Sequence, residues 1–266
     1  MKKIFLLFLV VCSVLFAKPD IQKGYYEDAT LRYEIPWVGD YVEGVEIWYY
    51  QNGKILQKIP MKKSKKNGMA TMYYESGKLL AEIPFKDDKR EGIEKDYYKN
   101  GKISATITYS NDMKNGVQKD YDENGKLKAK AHFIDDNKEG LFQTYYKNGK
   151  LQGQVYYKNN EKEGVQKVYY DTGILKGTTK YKDNKRDGLI TLNYKNGKLK
   201  AKSYFKDGHS DGVVESYYYY KSGKLKAKIL LKDEKLDGTS ILYDENGKIK
   251  EKKLYKNGKV VKNYLK

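Results

Sequence analysis

The sequence predicts an all-β protein: an elongated, twisted antiparallel meander of about ten 24-residue β-hairpin repeats. Three observations predict it. Glycines recur at Gly44, Gly68, Gly92, Gly116, Gly140, Gly164, Gly188, Gly212 and Gly238, with seven intervals of 24 and a last one of 26. A second glycine follows nine residues after each, from Gly53 to Gly247, except that Gly212 is followed eleven residues later by Gly223. Between the glycines apolar and polar residues alternate with period two, and no stretch holds a helical period. A fixed period of this length marks stacked supersecondary units that bury one another's faces.

Taken in order, residues 1–17 read as a cleaved signal peptide. Lys2 and Lys3 precede an apolar run that ends at Phe16-Ala17 before Lys18-Pro19, and the run is too short for a membrane span of about 20 residues. Cleavage after Ala17 exports the chain to the periplasm, cell envelope or medium and removes Cys12, the only cysteine. Residues 18–266 then form a single repeat array. Residues 20–43 are a degenerate first copy, with Asp20 and Ala29 where the glycines belong. Residues 44–237 are the core repeats and 238–266 a truncated last one. Worn end units are what a stacked array needs where its end faces meet water.

In the copy opening at Gly140, residues 141–146 are the first strand, 147–150 the turn and 151–157 the second strand. A charged return, 158–164, leads to the next copy. Six of the nine central turns are Asn-Gly, a hairpin signal because both residues tolerate positive φ. Alternation puts Leu127, Ala129, Ala131 and Phe133 on a greasier face, and Lys128, Lys130 and His132 on the other. The small mid-strand residue, Ala or else Gly153 and Gly177, leaves room for a tyrosine ring from the next strand. Ile-Pro at 35–36, 59–60 and 83–84 requires an edge or an irregularity there, since proline donates no ladder hydrogen bond. Twenty or so strands spaced ~4.8 Å apart make a ribbon on the order of 90–100 Å long.

Function is less legible. The formal charge of +18 is a lysine charge, because only Arg32, Arg90 and Arg186 among the 53 basic residues are arginines. That scarcity argues against reading of nucleic-acid bases, which relies on bidentate arginine. Two histidines, His132 and His209, in different repeats, and one cysteine leave no metal or nucleophile constellation. The reading is therefore a non-enzyme without cofactor. Lysines that follow the turn glycines, such as Lys54 and Lys150, keep strand edges soluble and allow weak electrostatic contact with anionic lipid or envelope polymer. The candidate contact residues are Tyr217, Tyr218, Tyr219 and Tyr220, where the two extra residues fall, and Trp37 and Trp48 at the proline-bearing end. Tyrosine and tryptophan are favoured interface anchors.

The stretches 97–116 and 145–164, Tyr-Tyr-Lys-Asn-Gly-Lys followed by a charged turn ending in Asn-Gly or Glu-Gly, resemble the MORN repeat variant family of bacterial MORN-like repeats. The likeness covers about residues 20–266. It implies a β-hairpin meander and a scaffold role in protein–protein interaction, with a toxin or surface protein as partner. The family's YwqK-type antitoxin members imply a toxin-neutralising or immunity role as one alternative. A cell-surface adhesin on anionic surfaces is another.

Overall fold

The alternation of the sequence is realised strand by strand. The computed structural model describes residues 18–265, so the signal-peptide segment lies outside it. Among the described residues there are 26 strands and no helix. They divide into two compact units, residues 18–89 and 90–265. Within each, every pairing between neighbouring strands is antiparallel. In the second unit Gly140–Tyr145 pairs with Leu151–Lys158, in the register Leu141↔Tyr156, Gln143↔Gln154 and Thr144↔Gly153. The face assignment holds: Ala131 and Phe133 are buried while Lys128 and His132 are exposed. The core is thin, made of single small or aromatic side chains such as Ala70, Ala81, Tyr109, Val155 and Ala227, and no described side chain is less than 2% exposed.

The central turns are hairpin turns, as Asn-Gly signals, but only the glycine is left-handed. In the central turn Gly149 has φ +82 but Asn148 is not in the left-handed region. The N–H of Gly149 donates to the Tyr146 carbonyl at 2.8 Å and that of Tyr146 to the Lys150 carbonyl at 2.9 Å. This is a type I turn closed by a left-handed glycine, the three-residue hairpin loop with a bulge. The asparagine is selected by hydrogen bonding instead. Asn148 Oδ1 accepts the N–H of Lys150 at 3.0 Å, and its Nδ2 donates to the Asp171 carbonyl of the next repeat at 2.9 Å. The degenerate first copy keeps the same loop, with Ala29 forced to φ +63 in the glycine's place.

Two consecutive left-handed residues occur in the charged return turns: Asp135-Asp136, Asn159-Asn160 and Asp183-Asn184. Asp and Asn tolerate that conformation, and here the side chain has a second task. The Asp136 N–H donates to the Lys114 carbonyl at 3.0 Å, and Asp136 Oδ1 accepts the Lys114 N–H at 2.8 Å. Asp88 with Lys66, Asp112 with Arg90 and Asn160 with Lys138 repeat this exchange. In these four pairs the return turn is thus clamped to the strand end of the turn before.

The prolines sit at an irregularity, not an edge. Strand Ile55–Lys62 is paired on both sides. Pro60 falls between the pairs Lys58↔Thr71 and Met61↔Lys66, where the ladder jumps, so its missing N–H leaves no gap in the pairing, and its carbonyl accepts from Asn67 at 2.8 Å.

The two extra residues at the tyrosine run make a step. Strand His209–Tyr219 meets its predecessor in the usual register, Ala201↔Ser216, as Gly177↔Leu192 does one repeat earlier. Tyr218 and Tyr219 then prolong the hairpin to Tyr218↔Ala227 and Tyr219↔Leu225, displacing the later strands by two residues along the strand direction. The return clamp is replaced there: Asp233 N–H reaches the Gly212 carbonyl, and Glu234, not Asp or Asn, fills the second turn position.

Candidate functional site

Most of the tyrosine and lysine chemistry serves the stacking of repeats. In the second unit the second tyrosine of the pairs at 97–98, 145–146 and 169–170 donates its phenol to a backbone carbonyl 23 residues on. Tyr98 reaches Tyr121 at 2.6 Å, Tyr146 reaches Tyr169 at 2.7 Å and Tyr170 reaches Asn193 at 2.7 Å. In the first unit Tyr26 and Tyr50 do the same to Tyr49 and Tyr73. The turn lysines form a parallel series: Lys102 Nζ donates to the Asn124 carbonyl at 3.1 Å and Lys150 Nζ to the Thr172 carbonyl at 2.9 Å. Five lysines, Lys54, Lys102, Lys126, Lys150 and Lys198, are in this way tied to the backbone of a neighbouring turn. The sequence showed where these residues recur but not that they reach across repeats, because only stacking brings positions about one repeat apart into contact.

The candidate contact residues divide by role. The Tyr217 hydroxyl bonds Glu215, and burial, then that carboxylate, pushes the phenol up to about 12. Its carbonyl accepts the Tyr194 phenol at 3.0 Å. Tyr219 packs edge-on against Tyr194, centroids 6.1 Å apart, and the Tyr220 phenol reaches the Tyr243 carbonyl at 2.7 Å. Tyr218 is exposed. In the first unit Trp37 Nε1 donates to Gln22 Oε1 at 3.0 Å, while Trp48 lies 5.0 Å from the Tyr33 ring. The structure brings the four tyrosines together and gives three of them intramolecular partners. His132 is exposed on the lysine face, and His209 Nδ1 lies 3.1 Å from its neighbour's backbone, the Asp207 carbonyl.

Two features escaped the sequence reading. The first is an acidic group on the greasier face of the second unit: Glu94, Asp96 and Asp120. Burial, then Asp96, raises the Glu94 carboxyl above its ordinary range, against the pull of Arg90 and Lys114. Arg90 stands 3.7 Å away, beyond hydrogen-bond reach. Burial, then Asp120, raises Asp96. The folded state therefore holds these protons to higher pH than the unfolded chain does, so the two acids cost stability at neutral pH and the cost disappears as pH falls. The double variant Glu94→Gln, Asp96→Asn is expected to melt higher than wild type at pH 7 and to lose that advantage below about pH 4. Thermal melts across pH check this; a variant that melts lower at pH 7 would refute it.

The second feature is a row of apolar side chains on the lysine-bearing face of the second unit, following the return glycines Gly92, Gly140, Gly164 and Gly188. Ile93, Leu141, Val165 and Leu189, with Tyr156 and Tyr204 opposite two of them, are each 40–54% exposed. The signal existed in the sequence as a hydrophobic residue after each return glycine from Gly44 to Gly212, masked by the weaker alternation of the first strands.

Among known proteins, no curated sequence matches this chain. Solved structures show distant likeness. The TcdB2-TccC3-Cdc42 crystal structure aligns at 11% identity over 89% of this chain and 14% of that one, with TM-score 0.24, so the alignment spans a small part of the larger chain. A porin-like protein from Bacteroides uniformis aligns at 8% identity over 94% of both chains, with TM-score 0.21. The family comparison is of another order. The MORN repeat variant model matches nine times, at residues 42–63, 66–87, 90–111, 114–135, 138–159, 162–183, 186–207, 211–233 and 236–257. The matched repeats thus number nine, as the return glycines do, where the sequence reading counted ten by adding the degenerate copy at residues 20–43. The remaining hairpin, Asp20–Tyr25 with Leu31–Val38, lies before the first match. Each match opens in the strand that follows one return turn and closes at the next return turn, so the unit seen in the backbone is the unit of the family: this chain belongs to the MORN repeat variant family.

Proposed function

We propose that the protein is an exported, non-enzymatic scaffold that grips another protein along its sheet. The exposed apolar row of the second unit, Ile93, Leu141, Val165 and Leu189, carries this reading. An apolar line flanked by solvated lysines is the make-up of an interaction surface, with a desolvated centre and a polar rim. Tyr218 adds an exposed aromatic anchor. Trp37 and Trp48 are secondary candidates.

An antitoxin or immunity protein would use the same grip on a toxin, and an adhesin would use it on an envelope or host surface. The basic-apolar leader at residues 1–17 favours work outside the cytoplasm over a cytoplasmic antitoxin. The test is capture of partners from envelope fractions by the chain beginning at Lys18. Wild type is compared with Leu141→Ser, Val165→Ser, Leu189→Ser combined, and with Tyr218→Ser. The triple variant is expected to lose the captured protein while keeping its β-sheet circular dichroism. Undiminished capture by that folded variant would overturn the reading.

A further inference from the structure

The series of phenols that joins the repeats is interrupted at one internal position. Residue 122 is Asp, where Tyr98, Tyr146, Tyr170 and Tyr194 occupy the equivalent places. Its carboxylate turns into its own loop, accepting the N–H groups of Asn124 and Lys126, both at 2.9 Å. The Lys126 bond first, then the Asn124 bond and nearby lysines, holds it below the usual carboxylate range. It does not cross to Tyr145, whose carbonyl is the acceptor that the 23-residue spacing assigns to this rung. A cavity of about 490 Å³ lies there, walled by Leu127, Ala129, Thr144 and Tyr145, with Lys128 and Asp120 at its margin.

A second, independent observation identifies what this space is shaped for. In other repeats the lysine six residues after the bridging tyrosine lies over that ring: Lys176 over Tyr170 at 5.8 Å, Lys200 over Tyr194 at 5.6 Å and Lys226 over Tyr220 at 5.5 Å. Lys128 holds the same place relative to residue 122 and lines the cavity. The acceptor carbonyl and the cation of those three repeats are both retained beside the cavity lined by Leu127 and Ala129, while the tyrosine itself is replaced by a side chain too short to fill it.

We propose that this cavity receives the phenol ring of a tyrosine side chain from a partner protein. The ring lies beneath Lys128 and against Leu127 and Ala129, and its hydroxyl donates to the Tyr145 carbonyl. A plain benzyl ring fills the space but offers that oxygen no donor. A phosphorylated ring is repelled by Asp120 and Asp122. The site goes beyond the apolar row and stands or falls separately from it.

The experiment is an amide NMR titration of the purified chain with N-acetyl-tyrosinamide. Saturable shifts are expected at Ala129, Thr144 and Tyr145. N-acetyl-phenylalaninamide is expected to bind about fivefold more weakly, the worth of one neutral hydrogen bond, and N-acetyl-phosphotyrosinamide to leave these amides unmoved. D122Y supplies the ring internally and abolishes the shifts. K128A, which leaves the cavity open, weakens binding without abolishing it and serves if D122Y fails to fold. No saturable shift at these amides, or shifts unchanged in folded D122Y or in K128A, would overturn the proposal. The triple variant of the apolar row should titrate like wild type.

Discussion

Gly177→Ala is expected to destabilise the protein by about 2 kcal/mol, the cost of overpacking, while Gly153→Ala at the same repeat position is expected to be neutral or stabilising by about 0.5 kcal/mol. By sequence the two changes are equivalent, and both restore the alanine found at Ala105, Ala129, Ala201 and Ala227. The structure separates them. A Cβ on Gly177 would stand 2.4 Å from the Thr191 carbonyl oxygen and 3.1 Å from a Leu192 methyl. The methyl can rotate away, but the carbonyl belongs to the paired backbone of Thr178↔Thr191 and can move only if the strand moves. At Gly153 the nearest atom is the Lys167 carbonyl at 3.4 Å, an ordinary contact. Reversible denaturation of both variants checks this, and equal effects would contradict the close approach at Gly177. The expectation of space for a tyrosine ring is corrected at the same point, because what crowds Gly177 is backbone.

The second large effect lies in the bridging phenols. Tyr170→Phe is expected to cost about 1 kcal/mol through loss of the bond to the Asn193 carbonyl. Tyr170→Ala is expected to cost about 3 kcal/mol, because the ring and its contact with Lys176 go as well. In a stacked array each repeat touches only its neighbours. The loss should therefore appear as faster amide hydrogen exchange where the two repeats joined by Tyr170 meet, with more distant repeats changed little. Exchange mass spectrometry reads this directly. Uniform loosening of the second unit, or a Phe variant as unstable as the Ala variant, would assign the stability to something other than the hydroxyl bridge.

The repeat was legible because glycine spacing and period-two alternation are local, and stacking multiplies the same local solution. Strand positions, the inward set of Leu127, Ala129, Ala131 and Phe133, and the irregularity at Pro60 all came from residues close in the chain. The turn types did not, because Asn148 looks like a left-handed residue until its side chain is seen joining Asp171 in the next repeat. Nor did the raised carboxyls of Glu94 and Asp96, whose neighbour Asp120 lies a full repeat away.

By itself, then, the sequence determined the unit and its number to within one, the facing of its second strands and the place of the two-residue insertion. These depend on backbone preferences and on which side chains avoid water. Tertiary structure alone decided what each recurring residue is for. Tyrosine bridges, lysine staples and Asx clamps all act about one repeat apart, at separations of 21–25 residues, where nothing in the local chain dictates contact. It also decided that one Asp in place of a Tyr, at residue 122, opens a cavity, since only the neighbouring repeat shows what the missing ring would have touched.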